Sequence, residues 1–220
     1  MRVLLIDTCG SEGSIALADT ELAQAVVATE MLPGRTSSER LVPAVRRLME
    51  SNGWVLRELA AVVVVHGPGS FTGVRVGLSA AKGLSEAAGV PLIAVSRLAL
   101  LAANAGEKAA MVHAALDAGR GEFYYGQYAG RRCVREALLN RDEVEAAVGG
   151  GVVVVCEPKV AELLVRLSPR VVREPLAEDA LPFALERIAL GDFDDAATLD
   201  ANYLRQTTAE IFAKPKKAVG

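Results

Sequence analysis

The residues best placed to do chemistry are two aspartates and one glycine-rich turn. Asp7 and Asp117 each end a short apolar run, VLLID and HAALD, and each precedes a glycine turn. A carboxylate so placed either holds a metal–phosphate or caps its own turn by accepting backbone N–H groups. The first turn, Asp7-Thr8-Cys9-Gly10, lacks the tight Asp-x-Gly-Ser/Thr that brings backbone onto a phosphate, and Gly119-Arg120 is degenerate too. Turn capping is therefore the expectation for both. Should a nucleotide enter, Asp7, Thr8, Asp117 and Gly119 are the residues nearest its phosphates.

The third feature is Gly67-Pro68-Gly69, followed by Ser70-Phe71-Thr72-Gly73. It has neither the spacing nor the lysine of the phosphate-binding G-x-x-x-x-G-K-Ser/Thr loop. The helix expected to begin near Thr72 or Gly73 could still present N–H groups to an anion. His66 and His113 are far apart in sequence, without the H-x-x-x-H spacing of a metal pair, and both read as histidines satisfied within the fold. Cys9, Cys133 and Cys156 form neither a disulfide framework nor a zinc pattern. No metal site and no catalytic residue is assigned.

The elements that must position these residues are legible in the apolar runs. Val3–Ile6, Ser14–Ala18 and Ala23–Thr29 read as three strands. Thr36 and Glu39 offer a capping box for a helix to about Ser51, with Pro43 inside and Gly53 closing it. The valine run Val62–Val65 is a buried strand, and Pro91–Val95 another, with Ser96 capping a helix to about Asn104. After Asn104-Ala105-Gly106 the plan restarts: strands Met111–Leu116 and Glu122–Tyr128, a helix Asn140–Val148, a strand Val152–Cys156, and helices Ala161–Leu167 and Leu181–Gly191. Asp7 and Asp117 lie half the chain length apart, so the chain reads as a duplicated α/β unit, with lobes 1–105 and 106–220.

The helix after Gly73 is rich in Gly, Ala and Ser. Two interior glycines, Gly77 and Gly83, cost it about 2 kcal/mol against alanine. Gly73, Gly77, Ala80, Ala81 and Leu84 share one smooth face. Close approach offsets the cost, either of another part of the same domain or of a partner protein; the sequence leaves both open.

The chain has 220 residues, is half apolar, and carries a net charge of −3. That excludes an electrostatic footprint for autonomous nucleic-acid binding. Met1–Asp7 reaches an aspartate after four apolar residues, so no signal peptide is expected; no run approaches membrane length, and a reducing cytoplasm is the expected setting. The segment Lys214-Pro215-Lys216-Lys217 reads as a solvated tail.

The stretch GPGSFTGVRVGLSAAKGL, Gly67 to Leu84, is very similar to the signature of the TsaB (YeaZ) family. LLIDTCGSEGSIALA, SSERLVPAVRRLM, LDAGRGEFYYGQY, the run from Ala137 to Val144, and YLR follow in that family's order. The resemblance implies an α/β chain of the actin/Hsp70-like ATPase fold. Its two duplicated, ribonuclease H-like lobes would each hold a mixed sheet flanked by helices. It implies a non-catalytic scaffold for N6-threonylcarbamoyladenosine (t6A) at position 37 of tRNA, paired with the catalytic homologue TsaD and the ATPase TsaE. tRNA would be met only indirectly, no membrane is involved, and no cofactor is expected beyond ATP or ADP at the TsaD junction. By the same resemblance, Leu41, Val45, Leu48, Gly73, Val74, Val76, Gly77, Ala80, Ala81 and Leu84 form the dimer surface, open to a second copy when TsaD is absent. Val76→Glu is then expected to break pairing and spare the fold. Two enzyme readings compete: a stand-alone ATP-dependent kinase or transferase of the same fold, and an M22-type metallopeptidase homologue.

Overall fold

The computed structural model describes residues 1–33, 37–106 and 111–205. Thr36 of the expected capping box and the lysine-rich segment 214–217 lie outside the described residues.

Two five-stranded mixed sheets are built on one plan. In the first, β1 (Arg2–Asp7), β2 (Gly13–Asp19) and β3 (Val26–Leu32) form an antiparallel meander. Helix α1 (Ser37–Ser51) leads to β4 (Leu59–Val65), helix α2 (Phe71–Ala88) to β5 (Leu92–Val95), and both strands add in parallel to give the order β3-β2-β1-β4-β5. The second sheet repeats this with β6 (Met111–Gly119), β7 (Glu122–Ala129), β8 (Arg132–Asn140), β9 (Val152–Val155) and β10 (Arg170–Val171), in the order β10-β9-β6-β7-β8. β1 and β6, which carry Asp7 and Asp117, are thus equivalent central strands.

The local reasons are plain. Parallel strands covered on both faces are continuous apolar runs, and Ala61–Val65 and Val3–Ile6 are fully buried. Ser70 caps α2 by accepting the Gly73 N–H, and Gly89 ends it in the left-handed conformation. Ser96 caps α3 (Arg97–Ala103). Asn140 caps α4 (Arg141–Ala147) with a full capping box to Glu143. Pro158 opens α5 (Pro158–Leu163), which breaks before a separate 3-10 turn at Val165–Leu167 where one continuous helix was expected. The third strand sits three residues later than expected, and the strand β8 was not anticipated at all.

Packing crosses the middle of the chain in both directions. α3, from the first half, lies on β6, β7 and β9. The 3-10 turn Ala177–Ala180 and α6 (Leu181–Leu190), from the second half, lie on β1, β2, β4 and β5. One hydrophobic core consequently joins Leu4, Ile6 and Val64 of the first sheet to Leu98 and Leu101 of α3 and Leu116 and Val154 of the second. A smaller core around Phe123, Tyr125, Leu139 and Val160 belongs to the second sheet alone. The last described residues tie the halves again. Asn202 donates to Glu136 of β8 at 2.6 Å, Tyr203 OH accepts from Arg75 of α2 at 2.7 Å, and Arg205 donates to the Ala118 carbonyl at 2.9 Å.

Candidate functional site

Asp117 lines a cleft of about 480 Å³ between the sheets, whereas Asp7, expected beside it, is buried and forms no part of its walls. Those walls are the first hairpin turn (Cys9–Ser11), the glycine turn (Gly69, Ser70), the second hairpin turn (Asp117–Gly119), and Arg97, Glu157 and Glu174. The strand ends supply the walls because equivalent central strands bring equivalent turns to one opening.

Each aspartate caps its own turn. Asp7 Oδ1 accepts the Cys9 N–H and Asp117 Oδ1 the Gly119 N–H, both at 2.8 Å or less. Asp117 also holds Lys159 Nζ at 2.9 Å, and that bond lowers its carboxyl below the usual range. Asp7 is buried instead, and burial raises its carboxyl against the pull of Arg97. Burial likewise raises Glu157, which accepts the Asp117 N–H at 2.7 Å. The Cys156 thiol is pushed up to about 11 by burial, and Cys9 is raised well above its usual value for the same reason. Neither thiol is a thiolate at neutral pH, so neither is poised as a nucleophile.

Thr8 is not a cleft residue. Its hydroxyl donates to the Gly73 carbonyl at 2.6 Å, tying the first hairpin to the start of α2. This contact decides between the two readings left open for the small-residue helix, in favour of packing within the chain. A Cβ on Gly73 would overlap the Thr8 carbonyl oxygen, and one on Gly77 would overlap Thr8 Oγ1. Both glycines therefore admit the chain's own hairpin rather than a partner's helix. Gly69 serves the same end, since a side chain there would overlap the Cys9 carbonyl.

The remaining expected contact residues divide in the same way. Val74, Gly77 and Ala81 are buried against the first sheet and present no surface, which corrects their place in the expected dimer face. Leu41 and Val45 are also buried, and they reach only the floor of a groove between α1 and α2. Leu48 is half-buried on the core. Val76, Ala80 and Leu84 line the groove, half-buried. Val76 also packs on the core, so a glutamate there would cost stability as well as contact.

That groove has two basins, of about 430 and 590 Å³, which meet at Val42. Its exposed apolar residues are ones the sequence reading passed over: Val42 (50% exposed), Val55 (55%) and Phe71 (58%). The apolar period on α1 points Leu41, Ala44, Val45 and Met49 inward; Val42, just off that stripe, was the available signal. At the rim, Arg75 stacks over the Phe71 ring at 3.6 Å and Tyr203 lies 6.1 Å from it. In the cleft, Arg97 and Glu174 were likewise missed. Arg97 is the lone charge on an otherwise apolar helix, which could have marked it.

Neither histidine joins a site. His113 Nε2 donates to the Gly150 carbonyl at 2.7 Å and Nδ1 meets Tyr125 OH at 2.6 Å. His66 Nδ1 donates to the Asp200 carbonyl at 3.3 Å. Among the described residues no group of three or more His, Cys, Asp or Glu is arranged to hold a metal ion, and no helix is long and apolar enough to cross a membrane.

Comparison with known proteins agrees with the signature in Gly67–Leu84. Residues 28–152 match the family model described as TsaD, tRNA N6-adenosine threonylcarbamoyltransferase. The chain is 32% identical over 229 residues to the tRNA threonylcarbamoyladenosine biosynthesis protein TsaB of Escherichia coli (strain K12), covering 95% of this chain and 96% of that protein. Among solved structures it is similar to a Pseudomonas aeruginosa protein described as having similarity to the peptidase YEAZ. The TM-score is 0.77 at 30% identity, over 93% of this chain and 99% of that one. An inorganic polyphosphate/ATP-glucomannokinase from Arthrobacter sp. strain KM aligns with a TM-score of 0.52 at 15% identity, over 86% of this chain and 99% of that one. That last likeness is one of fold alone, and with the two mixed sheets it gives the actin-like ATPase architecture.

Proposed function

The chain belongs to the TsaB (YeaZ) family, whose members take part in t6A biosynthesis on tRNA, and from that premise we propose that it is a non-catalytic subunit that docks the catalytic homologue TsaD through the α1–α2 groove. The observation that carries this reading is the pair of apolar basins meeting at Val42. Val42, Val55 and Phe71 are each at least half exposed there, along a surface whose floor is already core. Exposed apolar area gathered into one groove is what a stable interface buries. A homologous partner has helices of the same kind to lay into it. In the absence of TsaD the same groove pairs two copies of this chain, since one apolar patch can serve both contacts.

TsaE joins the assembly, tRNA is met through TsaD, and the cytoplasm is the setting. Any ATP or ADP sits at the TsaD junction. The charge of the cleft supports a division of labour. Asp117, Glu157 and Glu174 line it; Arg97 pairs with Glu174 and Lys159 with Asp117, a poor seat for a free nucleoside triphosphate.

The experiment is size-exclusion chromatography with light scattering, on this chain alone and mixed with TsaD from the same genome. The expected result is a homodimer replaced by a heterodimer. A chain that ignores TsaD sinks the proposal. Measurable ATP turnover by the isolated chain would favour the kinase reading instead.

A further inference from the structure

We propose that the stretch 199–205 is a clasp that opens and closes as one piece, and so couples the rim of the α1–α2 groove to the second hairpin turn of the cleft. The inference does not rest on which partner fills the groove. The attachments of the stretch alternate between the two halves of the chain. On the first half, the Leu199 carbonyl accepts Lys82 Nζ and the Asp200 carbonyl accepts His66 Nδ1 at 3.3 Å. The Asn202 N–H donates to the His66 carbonyl at 2.9 Å, and Tyr203 OH accepts Arg75 Nε at 2.7 Å. On the second half, Asn202 Nδ2 donates to Glu136 Oε2 at 2.6 Å. Arg205 donates to the Ala118 carbonyl at 2.9 Å and pairs with Glu122 at 2.6 Å.

The two ends of the stretch meet different sites. Phe71 and Arg75 belong to the groove, and the Tyr203 ring lies 6.1 Å from the Phe71 ring and 5.7 Å from the Arg75 guanidinium. Ala118, which holds Arg205, lines the cleft. Between them lies a void of about 50 Å³ walled by Asn202, Tyr203 and Arg205. Its other walls include Phe71, shared with the groove, and Gly69 and Tyr124, shared with the cleft.

The build of the stretch suits release as a unit. It forms neither helix nor strand, Ala201 is its one buried residue, and Tyr203 is 41% exposed. Little apolar area resists opening, and on the side of the void no close-packed atoms lock it down. Polar bonds hold it instead, and their alternation makes them interdependent. Asn202 is tied to His66 by its main chain and to Glu136 by its side chain, so the stretch cannot leave one half without straining its hold on the other. Loosening Tyr203 at the groove weakens the seat of Arg205 on Ala118, and the reverse holds equally, because coupling of this kind is reciprocal. An occupant of the groove that presses on Phe71 or Arg75 is thereby felt in the cleft.

The test is amide hydrogen exchange of the full chain at Asn202, read relative to Val64 in the buried strand β4, with ¹⁵N spectra of the Arg75 and Arg205 Nε–H groups. Phe71→Ala perturbs the groove end and Glu122→Ala the hairpin end, and neither residue belongs to the stretch. A partly exposed ion pair or an aromatic contact is worth about threefold in an opening equilibrium. Glu122→Ala is therefore expected to speed exchange at Asn202 about threefold and to move the Arg75 resonance at the far end. Phe71→Ala should speed the same amide about threefold and move the Arg205 resonance. In the double variant the factors multiply to about tenfold, since both act on one opening. Variants that each move only the resonance at their own end overturn the proposal, and so does an Asn202 amide that exchanges at the wild-type rate in either.

Discussion

Val42→Glu is the sharpest perturbation of the docking reading. Val42 is 50% exposed on α1, where the two basins of the groove meet. Full burial of a valine side chain is worth roughly 1.5 kcal/mol, so the exposed half has ~0.8 kcal/mol left to gain on docking. Val42→Ala should thus weaken TsaD binding by about threefold to fivefold. A glutamate at the same point must be desolvated beneath the partner without a cation of its own, at a cost of several kcal/mol. Arg46, one turn further along α1, is already paired with Glu50 at 2.7 Å. Affinity should therefore fall by about a hundredfold or more, measured by titration calorimetry against TsaD. The fold should not suffer, since position 42 is exposed and a glutamate four residues before Arg46 mildly favours the helix. Val165→Glu, at a residue 63% exposed in the second half of the chain, is the control and should bind as the wild type does. Wild-type affinity in Val42→Glu, or equal losses in both variants, would refute the reasoning.

Three further outcomes follow from the packing. Gly77→Ala, although it gains helix propensity, should lower stability in urea by ~2 kcal/mol, because its Cβ meets Thr8 Oγ1 inside the core, and Thr8→Ala should relieve much of that loss. Gly83→Ala meets nothing within contact distance and should raise stability by ~0.8 kcal/mol in the same assay. His66 has its pKa lowered from 6.5 chiefly by burial. The neutral ring is the one that folds, so its contribution is complete above pH 6.5 and is lost as the pH falls through and below that value. His66→Gln should flatten the urea midpoint across that range. Alkylation followed by mass spectrometry should modify exposed Cys133 first, Cys156 at rates rising toward pH 11, and buried Cys9 only on unfolding.

Much of the fold is legible in the order of residues because it is dictated locally. The valine run must be a buried strand, Ser70, Ser96 and Asn140 are natural helix caps, and strand–Asp–turn occurs twice at half-chain spacing. β8 escaped notice because only its pairing makes it a strand. Arg132–Arg135 are exposed, Leu139 alone is buried, and residues such as Arg, Glu, Ala and Leu favour helix when read alone. The duplication itself called for it, as the counterpart of β3.

The sequence by itself determined the family, the two equivalent sheets and the turn-capping role of both aspartates. These depend on neighbours along the chain. Only the tertiary structure decided which faces are free. Glycine at 73 and 77 signals close approach, but whether to a partner or to Thr8 depends on a hairpin more than sixty residues away in sequence. The same holds for Arg97 and Glu174, whose pairing joins an apolar helix to the connection that follows β10. Local sequence fixes backbone preference and pattern. Contact partners are chosen by how the sheets and their exchanged helices close on one another.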